Sequence, residues 1–136
     1  MLRRAIWFAL SPFLLAEAVC KGDCPSVLNS GPDLAAALRA VAVCESRSGH
    51  LDRATASFRR LAELEPNAWQ AWNNLGANYL EVKKPNEATE ALRKSARLNP
   101  RAVSALFNLA TALSQLEKHS EAFQAIDHAQ RAAGDD

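Results

Sequence analysis

From residue 34 onward, apolar side chains recur at steps of three and four, the spacing that gathers them on one face of an α-helix. Leu34, Leu38, Val41 and Ala42 form the first such stripe, with Glu45 as a polar exception on it. Gly49 ends this helix, because glycine tolerates the left-handed conformation that a helix terminus favours. The spacing predicts a second helix over 52–64 that buries Ala54, Phe58, Leu61 and Leu64 and stops at Pro66. Asn67 is expected to cap a third, with Gln70 three residues on as a capping box, and that helix uses Trp72, Leu75, Gly76 and Tyr79. A fourth, over 85–98, buries Ala88, Leu92 and either Ser95 or Ala96. A fifth, over 101–116, buries Leu106, Leu109, Ala110 and Leu113. A sixth, over 120–133, buries Ala122, Ile126 and Ala129. No alternating strand pattern or hairpin signal interrupts the series, so the expected fold class is all-α.

The six stripes are one pattern written three times at a spacing of 34 residues. Ala54, Ala88 and Ala122 fall at that spacing, as do Ala42, Gly76 and Ala110. Phe58, Leu92 and Ile126 form another such set, and Leu38, Trp72 and Leu106 a further one. The small residues sit where two helix axes must approach within ~8–10 Å, and the large ones fill the space between them. A unit of this size cannot bury its own apolar face, so neighbouring units must stack.

Trp72-x-x-Leu75-Gly76-x-x-Tyr79, followed by Ala88, Leu92 and Pro100, resembles the tetratricopeptide repeat. The units fall at 35–68, 69–102 and 103–136, after a tail and helix start at 19–34. The first unit departs from the pattern at Glu45, where an aromatic is usual. The third replaces the aromatics with leucines and the closing proline with Gly134. The resemblance implies three antiparallel helix pairs stacked into a right-handed superhelical solenoid, with the first helix of each pair lining a concave groove. It also implies binding of proteins or extended peptides, no cofactor, and no shared catalytic chemistry. By the same resemblance the groove is lined by Arg39, Ala40 and Val43, by Asn73, Asn74, Ala77 and Leu80, and by Phe107, Asn108, Thr111 and Ser114. Asn74 and Asn108 occupy equivalent places. Each amide offers a donor and an acceptor, so a stacked pair suits the backbone of an extended peptide. The alternative is two solvated surface amides, and Ala40 removes the third rung in either case. Phe107 either anchors a ligand side chain or packs against neighbouring helices. The family's clamp for a terminal carboxylate is not expected, because Val43, Ser104 and Asn108 stand where an amide and two cations are needed.

The first twenty residues change the picture in another way. Arg3 and Arg4 precede an apolar run over 5–16, and Ala16-Glu17-Ala18 supplies small residues two apart. This is the layout of a secretory signal peptide over 1–18, cut after Ala18. The chain is then expected to be periplasmic or secreted; the alternative is an anchor left uncleaved in the membrane. Export permits disulfides. Cys20 and Cys24 can close a small loop, or Cys24 can pin the tail to Cys44, which otherwise sits on an apolar helical stripe as a small hydrophobe. A formal charge of +1, from 16 basic and 15 acidic residues, offers no basic footprint for nucleic acid. C-x3-C without a nearby histidine is not a zinc spacing. No G-x-S-x-G, phosphate loop or H-E-x-x-H occurs, so an enzyme is not expected. The reading is an exported peptide- or protein-binding adaptor. The alternative is a scaffold that assembles with further copies of itself and takes no peptide ligand.

Overall fold

The computed structural model describes residues 34–134. The expected leader over 1–18 and the cysteines at 20 and 24 lie outside them. Six helices follow one another: α1 (Leu34–Arg47), α2 (Leu51–Leu64), α3 (Trp69–Glu81), α4 (Pro85–Leu98), α5 (Val103–Gln115) and α6 (His119–Gly134). Among the described residues there is no strand. Each helix packs on its neighbours in sequence, and α3 also touches α5, so the first helices of the second and third pairs lie side by side.

The turn inside each pair is built the same way. Gly49, Lys83 and Glu117, 34 residues apart, have φ of 79°, 60° and 60°. The next residue's N–H reaches back five residues: His50 to the Glu45 carbonyl, Lys84 to that of Tyr79 and Lys118 to that of Leu113, each at 2.9 Å. Gly49, Lys83 and Glu117 in turn donate to the carbonyls three residues back, at 3.0–3.1 Å. This is the Schellman arrangement, which satisfies the last carbonyls of a helix and needs a left-handed residue at its centre. Glycine suits that place; Lys83 and Glu117 adopt it at a steric cost.

Packing between the helices follows the small-to-large code. A Cβ built on Gly76 collides with Leu92 Cγ, so only glycine fits at this crossing without a shift of the core. Ala42 and Ala110 hold the same place in the outer units, opposite Phe58 and Ile126 of the same core. One apolar cluster runs from Leu38 through Leu61, Leu75 and Leu92 to Ala125. A smaller one joins Leu106 to Ala129 and Ala132 at the end of the stack. Ser95 is fully buried, with its hydroxyl donating to the Trp69 carbonyl at 2.8 Å.

Two expectations are corrected. Asn67 does not cap α3: Ala68 is the N-cap, and no side chain caps the helix. The turn after α2 is closed by backbone instead, with Ala68 N–H donating to the Glu65 carbonyl at 3.0 Å, which places the helix start one residue later. Leu64 is 47% exposed, because it lies where α2 gives way to that turn and its stripe has left the interior.

Candidate functional site

The first helices expose polar and apolar side chains in each unit, and one side-chain hydrogen bond joins the second unit's first helix to the third's. Asn108 on α5 donates to Asn73 Oδ1 on α3 at 3.0 Å. The pairing is staggered by one residue from the equivalent pair Asn74 and Asn108, because facing positions on adjacent helices are 35 residues apart here. Asn73 keeps its amide hydrogens and Asn108 its oxygen, and both remain half-buried and open to a ligand. Arg39 pairs with Glu65, the residue that follows α2, at 2.6 Å, and its side chain stays half exposed. Phe107 is 47% exposed, so neighbouring helices leave about half of it uncovered. Thr111, one turn on, returns its hydroxyl to the Phe107 carbonyl at 3.0 Å. Leu80 is half-buried against the core, and Ala40 and Ser114 are exposed.

Val43, Asn74 and Ala77 meet at one cavity of about 450 Å³ between α1 and α3. Leu51 and Phe58 of α2 complete its apolar wall. Ser46 and Arg47 come from the end of α1, and Asn78 and Glu81 from the last turn of α3. Arg47 and Glu81 are the final residues of their helices and repeat equivalents of each other. Both are exposed, and neither forms an ion pair within the described residues.

Asn78 is the residue the sequence did not announce. It is 3% exposed, and its Nδ2 donates to the Leu51 carbonyl at 3.1 Å and to Thr55 Oγ1 at 2.6 Å. Thr55 has spent its own hydrogen on the same carbonyl, at 2.8 Å. The amide therefore cannot be turned over without setting oxygen against oxygen. Its Oδ1 is buried and accepts no hydrogen bond. An acceptor left so costs about 1–3 kcal/mol. The available signal was an amide at a register position that holds Cys44 and Ala112 in the other units, both buried.

Elsewhere, charge is mostly structural. Glu45, 4% exposed, is held by Arg53 at 3.2 Å and by the Ser57 hydroxyl at 3.0 Å, which accounts for an acid where Tyr79 stands in the next unit. Arg59 crosses the unit boundary to donate to the Tyr79 hydroxyl at 2.9 Å, and this bond raises the guanidinium above its already high value. Arg93 bridges to Glu121 in the third unit. On the far side, Lys94 lies 4.2 Å over the Trp72 ring, whose indole N–H donates to the Pro66 carbonyl at 2.9 Å. Among the described residues no cluster of three metal-ligating side chains occurs, and no helix is long and apolar enough to cross a membrane.

Helix pairs that stack in register and expose a strip along their first helices define an α-solenoid of the kind that presents a binding surface. Three family models described as tetratricopeptide repeat match, over residues 45–81, 69–102 and 103–136, so residues 45–136 carry tetratricopeptide repeats. It is 36% identical over 84 residues to a tetratricopeptide repeat domain-containing protein, PYG7, chloroplastic, of Arabidopsis thaliana; the match takes in 62% of this chain and 26% of that protein. Among solved structures it is similar to MamA, with a TM-score of 0.71 at 19% identity over 74% of this chain and 59% of that one. It is also similar to the second TPR of Spaghetti (RPAP3) bound to the HSP90 peptide SRMEEVD. That match has a TM-score of 0.69 at 20% identity over 72% of this chain and 91% of the other. The chain thus spans about a quarter of the Arabidopsis relative and 59% of MamA. The likeness to the solved structures establishes the fold.

Proposed function

We propose that the chain is an exported, non-enzymatic adaptor that holds an extended peptide segment of a protein partner along the strip formed by α1, α3 and α5. The observation that carries this reading is the set of unsaturated amides, Asn73, Asn74 and Asn108, beside an open apolar cavity on the same strip. The peptide-bound RPAP3 repeat supports it as a precedent for the fold. The partner is not expected to be a peptide with an acidic terminus like the one bound there. Arg39 is already paired with Glu65, and Val43, Ser104 and Asn108 stand where the clamp for such a terminus needs an amide and two cations. Export follows from the leader read in the sequence; the intact mass of the chain made with its own N-terminus tests it, with loss of residues 1–18 expected and full length contrary.

The test of the groove is a photo-crosslinking side chain placed at Leu80 or Thr111, and at Arg60 on the opposite side as control. A partner should be captured from the first two positions only, and its capture should fall at least tenfold when Asn74→Ala and Asn108→Ala are combined. Capture that ignores the double change removes the groove reading.

A second reading, a scaffold that associates with its own copies, is favoured by one observation. Phe107 and Phe123 are 47% and 71% exposed at positions where the second unit carries Asn73 and Thr89. Sedimentation decides it: a strict monomer at high concentration discards this reading.

A further inference from the structure

The cavity between α1 and α3 carries more information than a general groove. Its wall is apolar where Val43, Leu51, Phe58 and Ala77 meet. A space of about 450 Å³ suits one bulky aliphatic or aromatic side chain and the backbone that bears it. Two opposite charges stand at its rim, Arg47 at the end of α1 and Glu81 at the end of α3. They stand on α1 and α3, the two first helices that flank the cavity. Neither is neutralised within the described residues, although most of the other carboxylates near arginines there are paired: Glu45, Glu65, Glu121 and Asp127.

Asn74 and Asn78 add a polar edge. The first is half-buried on the strip; the second keeps an oxygen that no group of the fold satisfies, with its amide orientation locked by Leu51 and Thr55. The accessible part of that edge is Asn74, whose amide is unspent and suits the N–H and C=O groups of a peptide backbone, while Asn78 Oδ1 lies buried behind it.

We propose that this cavity is the specificity pocket of the groove. It selects an extended peptide in which one large apolar residue is flanked by an acidic residue on the Arg47 side and a basic residue on the Glu81 side. In an extended backbone the side chains that share the anchor's face stand two residues to either side of it, ~13 Å apart, so the acid and the base fall at those positions. The proposal rests on the groove reading above and goes beyond it by naming what is read.

The test selects binders from a display library of random twelve-residue peptides, using the full chain and two variants. Wild type should enrich one position for Leu, Ile, Met or Phe, with acid and base on opposite sides. Ala77→Phe, which fills the cavity, should lose that enrichment. Because that change touches a half-buried residue, the paired exchange Arg47→Glu with Glu81→Arg at two exposed sites gives an independent readout. It should reverse the order of acid and base around the anchor, and a peptide of the original order should bind it at least about tenfold more weakly. Enriched peptides whose anchor and charge order ignore both variants overturn the pocket but leave the groove standing. No enrichment by wild type over a chain unfolded by reduction of helix content overturns both.

Discussion

At position 76 a single hydrogen atom decides how closely α3 and α4 approach. A methyl there meets Leu92 at a distance that no packed core tolerates. Gly76→Ala is therefore expected to destabilise the chain by about 1–3 kcal/mol, even though alanine is the better helix former by about 1 kcal/mol. A urea titration followed by circular dichroism checks it; an unchanged or raised midpoint contradicts the packing account. This contact was legible beforehand, because Gly76 falls in register with Ala42 and Ala110 and Leu92 with Phe58 and Ile126. Asn78 was not. Periodicity says that its position is buried, but not that an amide there ties α3 to the backbone of α2, since that depends on which carbonyl lies within reach. Glu45 was visible as an anomaly, whereas its answer, Arg53 with Ser57, required the geometry of the facing helix.

At the scale of elements, the helix pairs were readable because their stripes are long and their breaks carry Gly or Pro. Their ends were less so. Gly49 advertises a left-handed residue; Lys83 and Glu117 do the same job without the signal. Replacing each by glycine should relieve strain at the cost of a more flexible unfolded chain. The expected net gain is about 0.5–1 kcal/mol for Lys83→Gly and again for Glu117→Gly. The two sites share no partner, so the double variant should show the sum. Thermal unfolding measures it, and a drop in midpoint for either one denies that strain is stored there. The start of α3 was misplaced for a related reason: Asn67 looks like a cap in sequence, but a backbone bond to Glu65 had already closed the turn.

For the whole molecule, three units stack through contacts that differ at each boundary. Between the first and second units, Arg59 meets Tyr79, and Asn78 meets Thr55. Between the second and third, Arg93 meets Glu121, and Asn108 meets Asn73. Thr89, however, keeps the disposition of Thr55: it returns its hydroxyl to the Pro85 carbonyl at 2.8 Å, as Thr55 does to Leu51. Ala112 faces it and has no amide to offer. The central unit therefore already presents on its trailing side the seat that its own leading side requires. A tandem duplication of residues 69–102 should fold as a longer rod, with the new copy's asparagine docking on Thr89 and the new tyrosine meeting Arg93. Its melting temperature should exceed that of the parent. A lower one would mean that the segment is matched to its present neighbours and is not interchangeable with itself.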